Sequence, residues 1–141
     1  MRIAISGSKG QLGLALQEVL GRPGGPGDAL LLIDLPEHDI TDLAATTAAI
    51  AAFGPQVIIH GAALTDVDLC EREPALAYRV NALGTRNLAV AAQAVGAAMV
   101  YVSTDYVFPG RPEPYWEYDR PEPLSVYART KWYGEQIVRD L

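Results

Sequence analysis

The glycine-rich run Gly7-Ser8-Lys9-Gly10-Gln11-Leu12-Gly13 constrains the fold of this chain more than any other feature. It lies between an apolar run, Arg2–Ser6, and a stretch of helical character, Gln11–Leu20. Glycine permits a tight strand-to-helix turn and lets another group come close to the backbone. A helix starting there offers unpaired N–H groups and the positive end of its dipole to an anion such as a pyrophosphate. The spacing is G-x-x-G-x-x-G rather than the commoner G-x-G-x-x-G, so its meaning depends on context. That context is favourable, because Asp34 closes a second apolar run at residues 29–34. An acid there accepts hydrogen bonds from an adenosine ribose, unless it is simply a solvated strand end. Lys9 is either a partner for the 2′-phosphate of NADPH or an exposed lysine.

The rest of the chain repeats the same alternation. Residues 42–53 are Ala-rich and helical, with Asp42 as N-cap. Pro55 breaks that helix, and Val57–His60 is a third strand. Residues 74–95 are expected as one long helix with Pro74 in its first turn. Gly96 ends it, residues 98–103 form the fourth strand, 109–123 a loop with five prolines, and 125–139 a last helix. Residues 21–27, with four glycines and two prolines, stop the first helix. Strands that are apolar throughout and alternate with helices predict an α/β, doubly wound parallel sheet of Rossmann type. The expected strand order is 3-2-1-4, with ligand bound beyond the carboxyl ends of the strands, at the switch point between strands 1 and 4.

Composition narrows the function. The net charge is −6 and the basic residues form no run, which excludes sequence-independent binding to nucleic acid. A single cysteine, Cys70, excludes an intrachain disulfide. No apolar stretch is long enough to span a membrane, and the N-terminus is not built like a signal peptide, so a cytoplasmic setting is expected. No metal site is expected.

Tyr127 and Lys131 stand at i and i+4 on the last helix, and so share a face. A tyrosine hydroxyl titrates near pH 10, too high for efficient proton transfer at neutrality. A neighbouring ammonium favours the phenolate, and lowering the pKa from about 10 to about 7 amounts to ~4 kcal/mol. The alternative is a surface i,i+4 pair. Ser103 and Thr104 end the fourth strand, where one hydroxyl could polarise a substrate carbonyl or both could satisfy the backbone. Asn81, a poor helix former inside the long helix, could hold a water relaying protons to Lys131 or bridge to nearby backbone. Asp39 and Ile40 either lie under an adenine or begin a helix with Asp42. Gly61, Ala62, Ala63 and Leu64 either leave room for the middle of a cofactor or pack a strand end.

Taken together, these residues resemble an extended short-chain dehydrogenase/reductase. The run Val102-Ser-Thr-Asp-Tyr-Val-Phe108, Pro114-Tyr115, Glu117 and Tyr127-x-x-x-Lys131 is most similar to the dTDP-4-dehydrorhamnose reductase family. So are Gly10-Gln-Leu-Gly13, Ala62-Ala63-x-Thr65-x-Val67-Asp68, Glu71, Pro74 and Val80-Asn81-Ala82. The resemblance implies reduction of the 4-keto group of a dTDP-linked deoxy sugar with NADPH or NADH. It implies that Tyr127 donates the proton, and that Lys131 binds the nicotinamide ribose and depresses the tyrosine pKa. Thr104 would polarise the ketone, and Asp105 would contact the substrate. Gly7, Gly10, Gln11, Leu12 and Gly13 would surround the pyrophosphate. Asp34, Asp39 and Ile40 would approach the adenosine half, with Ala62, Ala63 and Leu64 lining the cofactor. The sequence departs from the family at His60-Gly61, usually Asn-Ala, and at Ala128, usually Gly.

Members of that family are about twice this length. Residues 1–141 are therefore expected to be the NAD(P)-binding domain, with the sugar-binding part absent and the isolated chain inactive. Two other readings remain, a nucleotide-sugar epimerase or dehydratase and a non-catalytic dinucleotide-binding regulatory subunit. An uncovered edge on the fourth strand would also allow homo-oligomers to form there.

Overall fold

The computed structural model describes residues 1–21 and 28–141. The stop expected at 21–27 lies outside the described residues apart from Gly21. The four strands are β1 (Arg2–Ser6), β2 (Ala29–Ile33), β3 (Val57–His60) and β4 (Ala98–Tyr101), all parallel. The helices are α1 (Gln11–Leu20), α2 (Leu43–Phe53), α3 (Val67–Arg72), α4 (Pro74–Ala77), α5 (Thr85–Val95) and α6 (Val126–Asp140). This is the doubly wound α/β sheet that the alternation predicts.

The strand order is β2-β1-β3-β4, which corrects the expected 3-2-1-4. After β2 the chain makes only a turn and one helix, α2. That right-handed crossover carries it back past β1 to the opposite side, whereas the expected order needs a third strand beyond β2. Alternation of strand and helix fixes the handedness of each crossover but not the direction in which the sheet grows. The reversal therefore falls between β1 and β3, and the switch-point crevice lies at their carboxyl ends rather than between β1 and β4.

The register puts Ala4, Leu31, Ile58 and Met99 on one face of the sheet. Ile50 of α2 and Leu88, Ala91 and Ala92 of α5 pack on that face as one core. Ile3 and Ile5 point the other way and are also buried. On their face Leu32 and Val100 remain 41% and 52% exposed. Asp42 caps α2 as expected, accepting from the Ala45 N–H at 2.9 Å.

The expected single helix over 74–95 is helical throughout, but its winding changes in the middle. Between α4 and α5 the chain forms a π-helical stretch, Tyr78–Gly84. The wider turn aims the buried Asn81 side chain inward. Its Oδ1 accepts from Leu64 N–H at 2.7 Å, and its Nδ2 donates to Leu64 O and to Thr130 Oγ1, both at 3.0 Å. Insertions of this kind are frequent beside functional sites.

Candidate active site

At the crevice, each end of the glycine run has a steric reason for lacking a side chain. Gly7 has φ +72°, and a Cβ there would stand 2.7 Å from Ala62 N. A Cβ on Gly13 would stand 2.3 Å from Gly7 O, so the helix could not lie so close to the turn. Gly10 is the N-cap of α1 and makes no side-chain cap bond. The first N–H groups of the helix have no intrahelical acceptor and are available to an anion.

A cleft of about 730 Å³ opens over this turn. It brings together Gly7, Gly10, Gln11, Leu12 and Gly13 with Asp34, Asp39, Ile40, Ala62 and Ala63, as the sequence suggests. Leu64 is not part of it; its backbone N–H and C=O are both taken by Asn81. The Asp34 carboxylate is held in place by two backbone donors, Lys9 N–H at 2.7 Å and Leu35 N–H at 2.8 Å. A cleft of this size with a glycine-lined helix N-terminus at one end and an oriented carboxylate at the other fits a dinucleotide.

The second group of residues forms around α6. Ser125 caps that helix, accepting from Ala128 N–H at 3.1 Å, and Glu71 of α3 accepts from Val126 N–H at 2.6 Å. Tyr127 is half-buried on its first turn, edge-on to Tyr106 with ring centroids 6.0 Å apart. Thr104, just after β4, accepts from Tyr106 N–H at 3.2 Å, and its hydroxyl lies close enough to Tyr127 to act on that phenol's titration. Ser103 instead donates to Glu135, which leaves Thr104 as the strand-end hydroxyl nearest Tyr127. Thr104 and Asp105 also line a second cleft, of about 610 Å³, between the Pro-rich loop and α6.

Lys131 is buried. Its Nζ donates to Val102 O at 2.7 Å and sits 4.2 Å from the centre of the Tyr101 ring. Burial pushes its pKa down to about 8, against the pull of Glu135. Tyr127 is pushed up by burial, with the Thr104 hydroxyl acting the other way. Lys131 is not among the groups that act on Tyr127 in this structure; its ammonium faces Val102 O and the Tyr101 ring. Asn81, for its part, bridges to backbone and to Thr130, which was one of its two expected roles.

A buried polar row joins the two regions. His60 is fully buried, with Nδ1 2.6 Å from Ser6 Oγ and Nε2 2.9 Å from Thr85 Oγ1. Thr85 gives its own proton to Asn81 O at 2.6 Å, so it can only accept from Nε2–H. Burial keeps the ring neutral, so Nδ1 accepts from Ser6. Burial lowers its pKa to about 3, with Lys131 adding to the effect. Ser6 also lines the cofactor cleft and accepts from Ala62 N–H at 3.4 Å.

A family model described as the RmlD substrate binding domain matches residues 1–141. The chain belongs to this family. Among relatives of this RmlD-type chain, dTDP-4-dehydrorhamnose reductase from Streptomyces griseus is 43% identical over 141 residues, 99% of this chain and 45% of that protein. Methionine adenosyltransferase 2 subunit beta from Xenopus laevis is 46% identical over 100 residues, 71% of this chain and 30% of that protein. The structure of dTDP-4-dehydrorhamnose reductase from Bacillus anthracis, solved in complex with NADP, matches with a TM-score of 0.92 at 45% identity, over 99% of this chain and 49% of that one. The RmlD-type chain thus spans about half the length of the reductases it matches.

Several members of the site carry weaker signals in the sequence. Ser6 and His60 were legible as polar residues ending otherwise apolar strands. Helix α3 was signalled by Asp66, which caps it through Leu69 N–H at 2.8 Å. Glu135 carried no signal, since it is one of several charges on α6. Among the described residues no helix is long and apolar enough to cross a membrane, and no cluster of three or more His, Cys, Asp or Glu could hold a metal.

Proposed function

We propose that this chain is the dinucleotide-binding part of an NAD(P)H-dependent reductase acting on the 4-keto group of a dTDP-linked deoxy sugar. The observation that carries the reading is the presence of two features in one fold: a glycine-lined cleft facing an oriented Asp34, and Tyr127 and the buried Lys131 on α6, near Thr104 at the end of β4. The similarity to dTDP-4-dehydrorhamnose reductases supports the substrate class.

In this reading the pyrophosphate lies on the N-terminus of α1, where Gly10 leaves it room. Asp34 accepts from the adenosine ribose, with Asp39 and Ile40 beside the adenine and Ala62 and Ala63 against the middle of the cofactor. When bound, NAD(P)H supplies the hydride for the carbonyl carbon. Thr104 donates to the ketone oxygen and polarises it, and Tyr127 delivers the proton that completes the alcohol. Lys131 would hold the nicotinamide ribose, where its charge would favour loss of the tyrosine proton. Asp105 holds a sugar hydroxyl. The rest of the sugar-nucleotide pocket comes from a sugar-binding part outside residues 1–141. The protein works in the cytoplasm, and an association of copies through the β4 edge is part of the same proposal.

The experiment is turnover of the dTDP-4-keto sugar by the full-length reductase containing this sequence. Tyr127→Phe keeps the ring packing and should lower kcat by about 10²-fold or more. Near-normal turnover would remove Tyr127 from the chemistry. The similarity to the Xenopus laevis subunit supports one second reading, a non-catalytic dinucleotide-binding subunit. Absence of turnover together with a stable complex with another enzyme would favour it.

A further inference from the structure

We propose that Glu37 sets the cofactor preference of this chain by holding Lys9 away from the 2′ position, so that NADH is bound in preference to NADPH. The inference rests on the dinucleotide reading above. Lys9 is the only lysine or arginine among the described residues lining the cofactor cleft, whose acids are Asp34 and Asp39. Its side chain runs from the phosphate turn to the loop after β2. There Nζ donates to Leu35 O at 2.6 Å and to the Glu37 carboxylate at 2.7 Å. Lys9 in turn holds the Glu37 carboxyl below its usual range. The backbone N–H of the same Lys9 donates to Asp34, so the ribose-binding acid and the clamped cation share one strap.

A 2′-phosphate carries between one and two negative charges at neutral pH. Placed beside Asp34, it meets a fixed carboxylate and a lysine already neutralised by Glu37. Lys9 and Glu37 are both largely exposed, at 56% and 63%, so their pairing is weak enough to be exchanged. Removing the Glu37 charge leaves Lys9 with neutral acceptors only, and its charge available to a phosphate. The Glu37 charge, rather than the absence of a cation, is what disfavours NADPH.

The test is calorimetric titration of the full-length protein containing this sequence with NADH and with NADPH, for the wild type, Glu37→Gln and Glu37→Gln/Lys9→Gln. The wild type should bind NADH more tightly. Glu37→Gln should improve NADPH affinity about fivefold with NADH within twofold of wild type, a ratio worth ~1 kcal/mol. Adding Lys9→Gln should reverse that gain, and the gain should shrink in high salt. A wild type that prefers NADPH, or an NADPH/NADH ratio unmoved by Glu37→Gln, overturns the proposal while leaving the dinucleotide site intact. Binding of neither nucleotide overturns the reading on which it rests.

Discussion

Lowering the pH should destabilise this chain through His60, by an amount that follows from its surroundings. The ring is fully buried between two hydroxyls, and burial disfavours its charged form. Its folded pKa is about 3, against 6.5 for an ordinary histidine. The unfolded chain therefore takes up a proton near pH 6.5 that the folded chain refuses until about pH 3. Folded stability is complete above pH 6.5 and is lost as the pH falls through that window. The loss is about 1 kcal/mol at pH 5.5 and about 3 kcal/mol at pH 4.5, taken against pH 7.5. Carboxylates titrate in the same range, so the effect is isolated by difference. Urea unfolding of wild type and His60→Asn at pH 7.5, 6.5, 5.5 and 4.5 gives two stability curves. Asparagine does not titrate, so the curves should converge by about 3 kcal/mol toward pH 4.5, whatever the cost of the substitution itself. His60→Gln serves in the same way if the first variant is too unstable. Parallel curves would mean that His60 is protonated in the fold and that the Ser6–His60–Thr85 row is wrongly assigned.

The glycine turn separates fold from binding. Gly13→Ala forces a Cβ to 2.3 Å from Gly7 O and should cost several kcal/mol, about the scale of core overpacking, in urea unfolding. Gly10→Val meets only Gly7 O, at 3.3 Å from its Cβ, so the far-ultraviolet circular dichroism should survive while NADH and NADPH binding are lost. Asn81→Ala leaves Leu64 N–H and C=O without their partners and should cost about 2–3 kcal/mol, again measured by urea unfolding.

What the sequence makes legible here is local. The Gly7–Gly13 turn, the Asp42 cap and the strand–helix alternation depend on residues near one another, and each is found where expected. The strand order is not local. A right-handed crossover from β2 can extend the sheet or return across β1, and the hydrophobic pattern of residues 57–60 is the same in both cases. The π-helical stretch was hidden for a related reason. One wider turn among apolar residues leaves the helical spacing nearly unchanged, yet it turns Asn81 toward Leu64 and Thr130. Tyr127 and Lys131 share a helix as their spacing requires. Their electrostatic relation was illegible because Val102 O and the Tyr101 ring, contributed by β4 and its end, claim the ammonium.

The central claim is that the β1–β3 crevice holds a nicotinamide dinucleotide. Amide chemical shifts of the isotopically labelled 141-residue chain, followed during titration with NADH, test it most directly. The account predicts saturable shifts at residues 7–13, at Asp34 and at residues 61–63, with smaller ones near Tyr127 and Lys131. Shifts confined to the second cleft, around Asp105, Arg120 and Arg139, or no saturable shifts at all, would contradict it.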